Sequence, residues 1–372
     1  MSNFTYHSVQ PENLKDNYVE YDNVDFVLSF PQHKLNLGSL RLEGRWKVQY
    51  NGADLQANET NKAKEIYYDN FVGAHACIES ITTQAQGVTI ENYSDYARWV
   101  KMSSTATSSQ GDMMNSENVC ELKAPFRLMT NNLLKGEITE TEQTGVLNYQ
   151  DFSIKINNCL NSSRDQLPYT RSGDIRVTIN LARTGAVFYG KDVDSNVTYS
   201  LQDLRLAFTS VMDDGQSTAQ IPMRRKLSIK QSLQSGFANA SVRVPAVCSA
   251  VSCSLLAQGK ENSLTENTQA LERIPNLTQS QFMFNDSTNS YVSYIIKANS
   301  EVIDRYIDSL LDTGNNALSV TNMANNNGFG IGLNFDDEID LSNQKFNLQI
   351  SSGITSATPM ILYMYFHSTV SL

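Results

Sequence analysis

Five groups of residues in this 372-residue chain have types and spacings that could do chemistry. His75 and Cys77 form an H-x-C pair that could begin a zinc site, but no C-x-x-C or H-x-x-x-H partner accompanies them, so two packed residues of a strand are expected. Gly328, Gly330 and Gly332 resemble a phosphate-cradling glycine run. They alternate with Phe329, Ile331 and Leu333 and no helix follows, which reads instead as a strand whose glycine face lets a neighbour approach closely. Asp336, Asp337, Glu338 and Asp340 could hold calcium but lack the glycine and spacing of a known loop, leaving a solvated acidic turn. Met223–Lys226 (MRRK) is the compact basic cluster, expected to meet water or a nearby carboxylate rather than nucleic acid. A Cys–His or Ser–His–Asp set can be assembled on paper, yet no nucleophile elbow supports it, and His7, His33, His75 and His367 are the only histidines. The expectation is a protein with no catalytic residues, no metal, no cofactor and no enzymatic activity.

The elements that must position these residues are overwhelmingly strands. In Leu37–Tyr50 (LGSLRLEGRWKVQY), Leu40, Leu42, Gly44, Trp46, Val48 and Tyr50 fall on one face, and Arg41, Glu43, Arg45, Lys47 and Gln49 on the other. That two-residue period marks a half-buried strand. The same alternation returns at Ile175–Leu181, Leu204–Phe208, Phe329–Phe335 and Phe346–Ile350. A sheet with one apolar face needs a second sheet to cover it. Further strands are expected at Asp25–Phe30, Ile66–Phe71, Ala76–Ile81, Ala186–Tyr189 and Lys226–Lys230, with turns at Asn51-Gly52, Gln86-Gly87 and Thr184-Gly185. The closing Met360–Phe366 (MILYMYF), apolar on both faces, reads as a central strand.

Helical periodicity occurs at Ser94–Met102, where Tyr96, Trp99 and Val100 share a side, and at Glu301–Leu311, where Val302, Ile303, Tyr306, Ile307, Leu310 and Leu311 do. Polar loops are expected at Ser103–Asn118 and Asn315–Asn327. At least fourteen strands in two runs fit an all-β chain: antiparallel β-sandwiches of jelly-roll type, two in succession with one short helix each. Turn residues at Met212–Ser217 mark the joint. The division is then a flexible arm over 1–22, a first jelly roll over 23–212 and a second over 224–372.

Composition narrows the partners. Apolar residues make up 40% and charged ones 18%, the deficit being filled by Asn, Ser, Thr and Gln. Such a surface suits faces covered by neighbouring subunits, and equally reflects asparagine in β-turns. A net charge of −10, with an acidic N-terminal stretch, argues against phosphate neutralisation and hence against direct sequence-specific nucleic-acid binding. Phe4, Tyr6, Val19 and Tyr21 give the arm apolar anchors for a partner's sheet edge. Five scattered cysteines read as reduced, buried thiols, and the absence of a signal peptide or an apolar run long enough to span a membrane leads to an expectation of synthesis in a host cytoplasm.

The segments FVLSFPQHKLNLGSLRLEG (Phe26–Gly44), IYYDNFVGAHACIESI (Ile66–Ile81), INLARTGAVFYG (Ile179–Gly190) and PMILYMYFHSTVSL (Pro359–Leu372) resemble the jelly-roll capsid proteins of virophages, polinton-like viruses and their adenovirus-lineage relatives. The resemblance implies a structural virion protein that self-assembles, as a pentamer or a trimer, with other capsid proteins of the same icosahedral shell; the acidic charge adds the expectation of assembly without nucleic acid, the genome being pumped in later or lying behind a membrane or another internal layer. Two roles compete: the minor, penton-forming protein, which the shortness of the chain favours, and a compact double jelly-roll major protein forming trimeric, pseudo-hexameric capsomers. A glycan- or receptor-binding β-sandwich, with Tyr67, Tyr68, Tyr93 and Tyr96 stacking on sugars, is the alternative from another class.

Overall fold

The computed structural model describes residues 4–54, 66–107, 120–123, 149–215, 220–234, 237–272, 279–285, 290–296, 299–311, 330–342, 344–351 and 359–372. The strands before the Met212 joint are β1 (Thr5–Val9), β2 (Asn23–Leu28), β3 (His33–Asn36), β4 (Arg41–Tyr50), β5 (Ala53–Asp54), β6 (Ile78–Ala85) and β7 (Val88–Ser94). They continue with β8 (Tyr149–Lys155), β9 (Gln166–Pro168), β10 (Ile175–Leu181) and β11 (Val197–Met212). After it come β12 (Pro222–Leu233), β13 (Phe237–Arg243), β14 (Val247–Ala257), β15 (Gln279–Asn285), β16 (Ser290–Ile296), β17 (Ile331–Asp340), β18 (Lys345–Ser351) and β19 (Met360–Ser371). The longer helices are α1 (Tyr96–Thr107) and α2 (Asn299–Leu311).

The fold is all-β and antiparallel, in four sheets. Strands of the first half form one sheet in the order β5-β4-β11-β3-β9, with β1 added to β11 and β8 to β4, and a facing sheet β2-β10-β6-β7. Those of the second half form β12-β19-β14-β17 and β13-β18-β15-β16. Numbered within their own half, these are orders 1-8-3-6 and 2-7-4-5, the double Greek key of a jelly roll. The alternation expected of β4 holds, with Leu42, Trp46 and Val48 buried. Trp46 stacks on Phe188 at a centroid distance of 5.3 Å and meets the edge of Tyr68. β19 lies between β12 and β14, as its two apolar faces require. Asn51-Gly52 and Gln86-Gly87 are tight turns with positive φ at both residues.

Several local expectations give way to packing. Leu37–Tyr50 is not one strand: the chain kinks at Gly38 (φ +83°), where a Cβ would stand 2.9 Å from the Ser163 carbonyl, and β3 and β4 pair with β11 one after the other. Ile66–Phe71 makes a single bridge, Tyr67 to Tyr189, and then coils. Asp69 accepts the amides of Phe71 and Gly73, and a 3-10 turn over Gly73–Cys77 delays the next strand to Ile78. Thr184–Val187 is one helical turn instead of a hairpin into a strand, closed by Phe188 N–H donating to the Thr184 carbonyl. α1 runs past Met102 to Thr107 because Ser103, Ser104, Thr105 and Ala106 are buried where a surface loop was expected. The rest of that loop, the Asn315–Asn327 loop and Gly328-Phe329 lie outside the described residues.

The arm expected to wait for a neighbour is seated on its own chain. β1 pairs with β11 from Thr5↔Ser210 to Val9↔Leu206. Tyr18 is fully buried, exchanging backbone hydrogen bonds with Leu201. The anchors Phe4, Tyr6, Val19 and Tyr21 stay exposed.

Trp46→Ala is expected to cost about 3–5 kcal/mol, transfer and cavity terms together. Denaturant unfolding of the purified chain measures it, and an unchanged midpoint would mean that the first core closes without this ring.

Candidate functional site

The charged groups with the most unusual surroundings gather where the two halves meet. α1 was expected to show one apolar side, yet Tyr96, Ala97, Arg98, Trp99, Val100, Lys101 and Met102 are all buried. It is a core helix wedged between sandwiches. Trp99 meets Tyr365 and His367 of β19 at centroid distances of 5.3 and 5.2 Å. Arg98 donates to the carbonyls of Ala270 and Thr268 and lies over the Tyr363 ring. Lys101 pairs with Asp69 at 2.8 Å, and Asp69 also accepts from Asn267. Tyr365 donates to the Asp95 carbonyl at 2.8 Å, and the Ser94 amide donates to Ser228. Each contact joins a residue before the Met212 joint to one after it, apart from Lys101–Asp69, which lies within the first half.

The MRRK cluster is part of this seam. It lies on β12, beside β7. Lys226 is buried, its ammonium 3.9 Å from Glu91 and over the rings of Tyr93 and Trp99. Glu91 accepts the backbone amides of Lys226 at 3.0 Å and Cys159 at 2.6 Å. Burial pushes the Glu91 carboxyl above its usual range, with Lys226 pulling it back. Burial likewise pulls the Lys226 ammonium down, against Glu91. Arg225 reaches the Ile90 carbonyl and Ser368, and the Arg224 amide donates to Ser162. His367 is buried against Ser252. Its pKa falls to about 3, first through burial and then through the positive charges of Lys226 and Arg224.

The other candidates are structural. His75 joins Tyr96 and Glu121 at 2.9 and 3.3 Å. It lies with Cys77 in the 3-10 turn and not in a strand. Burial lowers the His75 pKa and raises that of Cys77. Burial alone would raise the Glu121 carboxyl, but Lys123 and His75 outweigh it and hold it low. Among the described residues no group of three His, Cys, Asp or Glu side chains could hold a metal ion. At Gly330 an added Cβ would collide with the Cys253 carbonyl of β14, and at Gly332 with Ser309 of α2, so the first glycine admits the neighbouring strand and the second seats α2 on β17. Asp336–Asp340 is not a turn. It is the bulged end of β17, where Asp340 accepts from the Ser342 amide at 2.9 Å. Tyr68, Tyr93 and Tyr96 are in the core and Tyr67 stacks on Tyr189, so the four do not form a sugar-stacking platform.

Sequence reading missed Glu91, Arg98 and His367 as seam residues. The available signal was a lone carboxylate between apolar Ile90 and Tyr93 on an edge strand, with a lone basic run elsewhere to match it.

No family model matches the chain, and no curated protein matches it. Its structure is similar to the Faustovirus major capsid protein, with a TM-score of 0.62 at 10% identity over 100% of this chain and 90% of that one. A chain from the cryo-EM structure of the Sputnik virophage gives a TM-score of 0.61 at 10% identity, over 100% of this chain and 86% of that one. The mavirus major capsid protein gives 0.50 at 10% identity, over 98% and 86%. The likeness is one of fold: this chain has the double jelly-roll architecture of viral major capsid proteins.

Two predictions follow from the seam's electrostatics. Glu91→Ala strands a buried ammonium and two amides and is expected to cost about 3–5 kcal/mol in urea unfolding. Adding Lys226→Met should recover only part of this, since the amides still lack an acceptor. Full recovery would show that the ammonium alone carries the cost. For His367, the unfolded chain takes up a proton below about pH 6.5 that the folded chain refuses until about 3. Its contribution to stability therefore falls on acidification through that window, by at most about 1.4 kcal/mol per pH unit. His367→Gln should show a flatter decline in Tm between pH 6.5 and 4; superimposable profiles would refute the assignment.

Proposed function

We propose that this chain is a major capsid protein, a structural subunit that self-assembles into the capsomers of an icosahedral virion and has no enzymatic activity. The observation that carries the reading is the pair of jelly rolls in one chain, locked by a continuous buried seam. Solved chains of the same architecture, matched over nearly all of this chain, bear the description of major capsid protein in Faustovirus and mavirus. The division into an N-terminal arm over 1–22 and jelly rolls over 23–212 and 224–372 belongs to this proposal.

The penton-forming role rests on chain length alone. Two sandwiches per chain favour the major role, because three copies place six similar lobes around one axis and make a pseudo-hexameric outline. A point-group trimer also closes, as stable homo-oligomers do. The partners are then copies of this chain and other proteins of the same shell, and the location is the virion. The net charge of −10 argues against condensation of nucleic acid by phosphate neutralisation. Among the described residues no helix is long and apolar enough to cross a membrane.

Size-exclusion chromatography with light scattering is expected to give three times the 41.5 kDa of one chain at micromolar concentration. A mass of five chains would return the penton role. A stable monomer that binds glycans would overturn the capsid reading.

A further inference from the structure

A second feature of the seam is a partly open cavity of about 170 Å³. Its wall is shared. Lys155 and Asn157 come from the first half, and Arg224, Arg225, Lys226 and His367 from the second. Among the residues that line it there is no carboxylate. Two acids bonded to lining residues are already engaged: Glu91 holds the Cys159 and Lys226 amides, and Glu121 accepts the Lys155 amide while pairing with Lys123.

Lys226 is 5% exposed, and its ammonium has three protons to place. Among the described residues it makes no hydrogen bond. Glu91 approaches only to 3.9 Å, and the remaining neighbours are aromatic faces. His367, 2% exposed, uses Nε2 on Ser252 and has no described partner for Nδ1. A buried cation without hydrogen-bond partners is expensive. That ammonium and the neutral His367 ring share one wall with Lys155 and Arg225, which gives an empty polar volume a lining rich in cations.

We propose that this cavity binds one small oxyanion, of the phosphate or sulfate class, between the two jelly rolls. Several acceptor oxygens on one compact anion match donors converging from different elements. The volume is below the few hundred cubic ångströms that drug-sized ligands occupy, which selects an ion or a single phosphate group over a nucleotide. Since both halves line the site, the bound anion ties Lys155 and Asn157 to β12 and β19 and tightens the joint. The inference is independent of whether the chain builds a shell.

The test is calorimetric titration and thermal melting of the full chain with sodium phosphate, at ionic strength held constant with sodium chloride. One phosphate per chain and a saturable rise in Tm of about 2–4 °C are expected. The Lys155→Gln/Arg225→Gln double variant, which leaves the Glu91–Lys226 pair in place, should lose the saturable rise. General salting effects of phosphate do not saturate. A non-saturating rise shared by parent and variant would overturn the site, as would the absence of a titratable heat. Glycerol phosphate serves as a further arm: a matching shift assigns the source to a phosphate monoester such as a lipid headgroup, and a shift with inorganic phosphate alone assigns it to the free ion.

Discussion

Removing α1 from water on all sides is the constraint on which the rest of this structure depends. A jelly roll has two inner faces that satisfy one another, so two jelly rolls in a chain have no inherent reason to hold a fixed relation. Here Trp99, packed on Tyr365 and His367, provides apolar area that fixes it. Arg98 and Lys101 on the same helix cannot be buried without partners, and the chain supplies carbonyls from residues 268 and 270 and the Asp69 carboxylate. Glu91 and Lys226 repeat this logic one strand away. Burying a well-packed apolar pair there would stabilise as well or better, so the charges contribute chiefly geometry: only one placement of β12 beside β7 satisfies them.

How much of this was legible in the sequence depends on whether the local period survives packing. β4, β10 and β18 were readable because one of their faces is dry and the other wet, and β19 because both are dry. α2 was readable for the same reason at helical spacing. Ile66–Phe71 was not, since its aromatic content serves core packing on a coil whose turns are set by the Asp69 carboxylate. α1 was read as a short amphipathic helix because Arg98, Lys101 and the following serines look like a wet face, and their partners lie far along the chain. The basic run Met223–Lys226 was visible at once, but only the placement of β12 assigns it to a buried carboxylate.

The similarity to virion proteins at 10% identity shows the same division of labour. What two such chains share is the alternation of burial along strands and the positions of turns, properties that many residue choices satisfy. The seam chemistry is a different kind of information. Glu91, Lys226 and His367 are specific solutions to burying two sandwiches against each other, and a fold comparison cannot reveal them.

The pairing of β1 with β11 has a consequence for biogenesis. Thr5 and Ser210, which face each other in the finished sheet, are more than two hundred residues apart in the chain. At about 5–20 residues per second of synthesis, the partner strand leaves the ribosome about 10–40 s after the first one. Through that interval the edges of β3 and β4 also wait for β11, unpaired and free to join similar edges on neighbouring nascent chains. The first jelly roll therefore closes late, and a cell producing many copies at once would have to keep these half-made sheets apart.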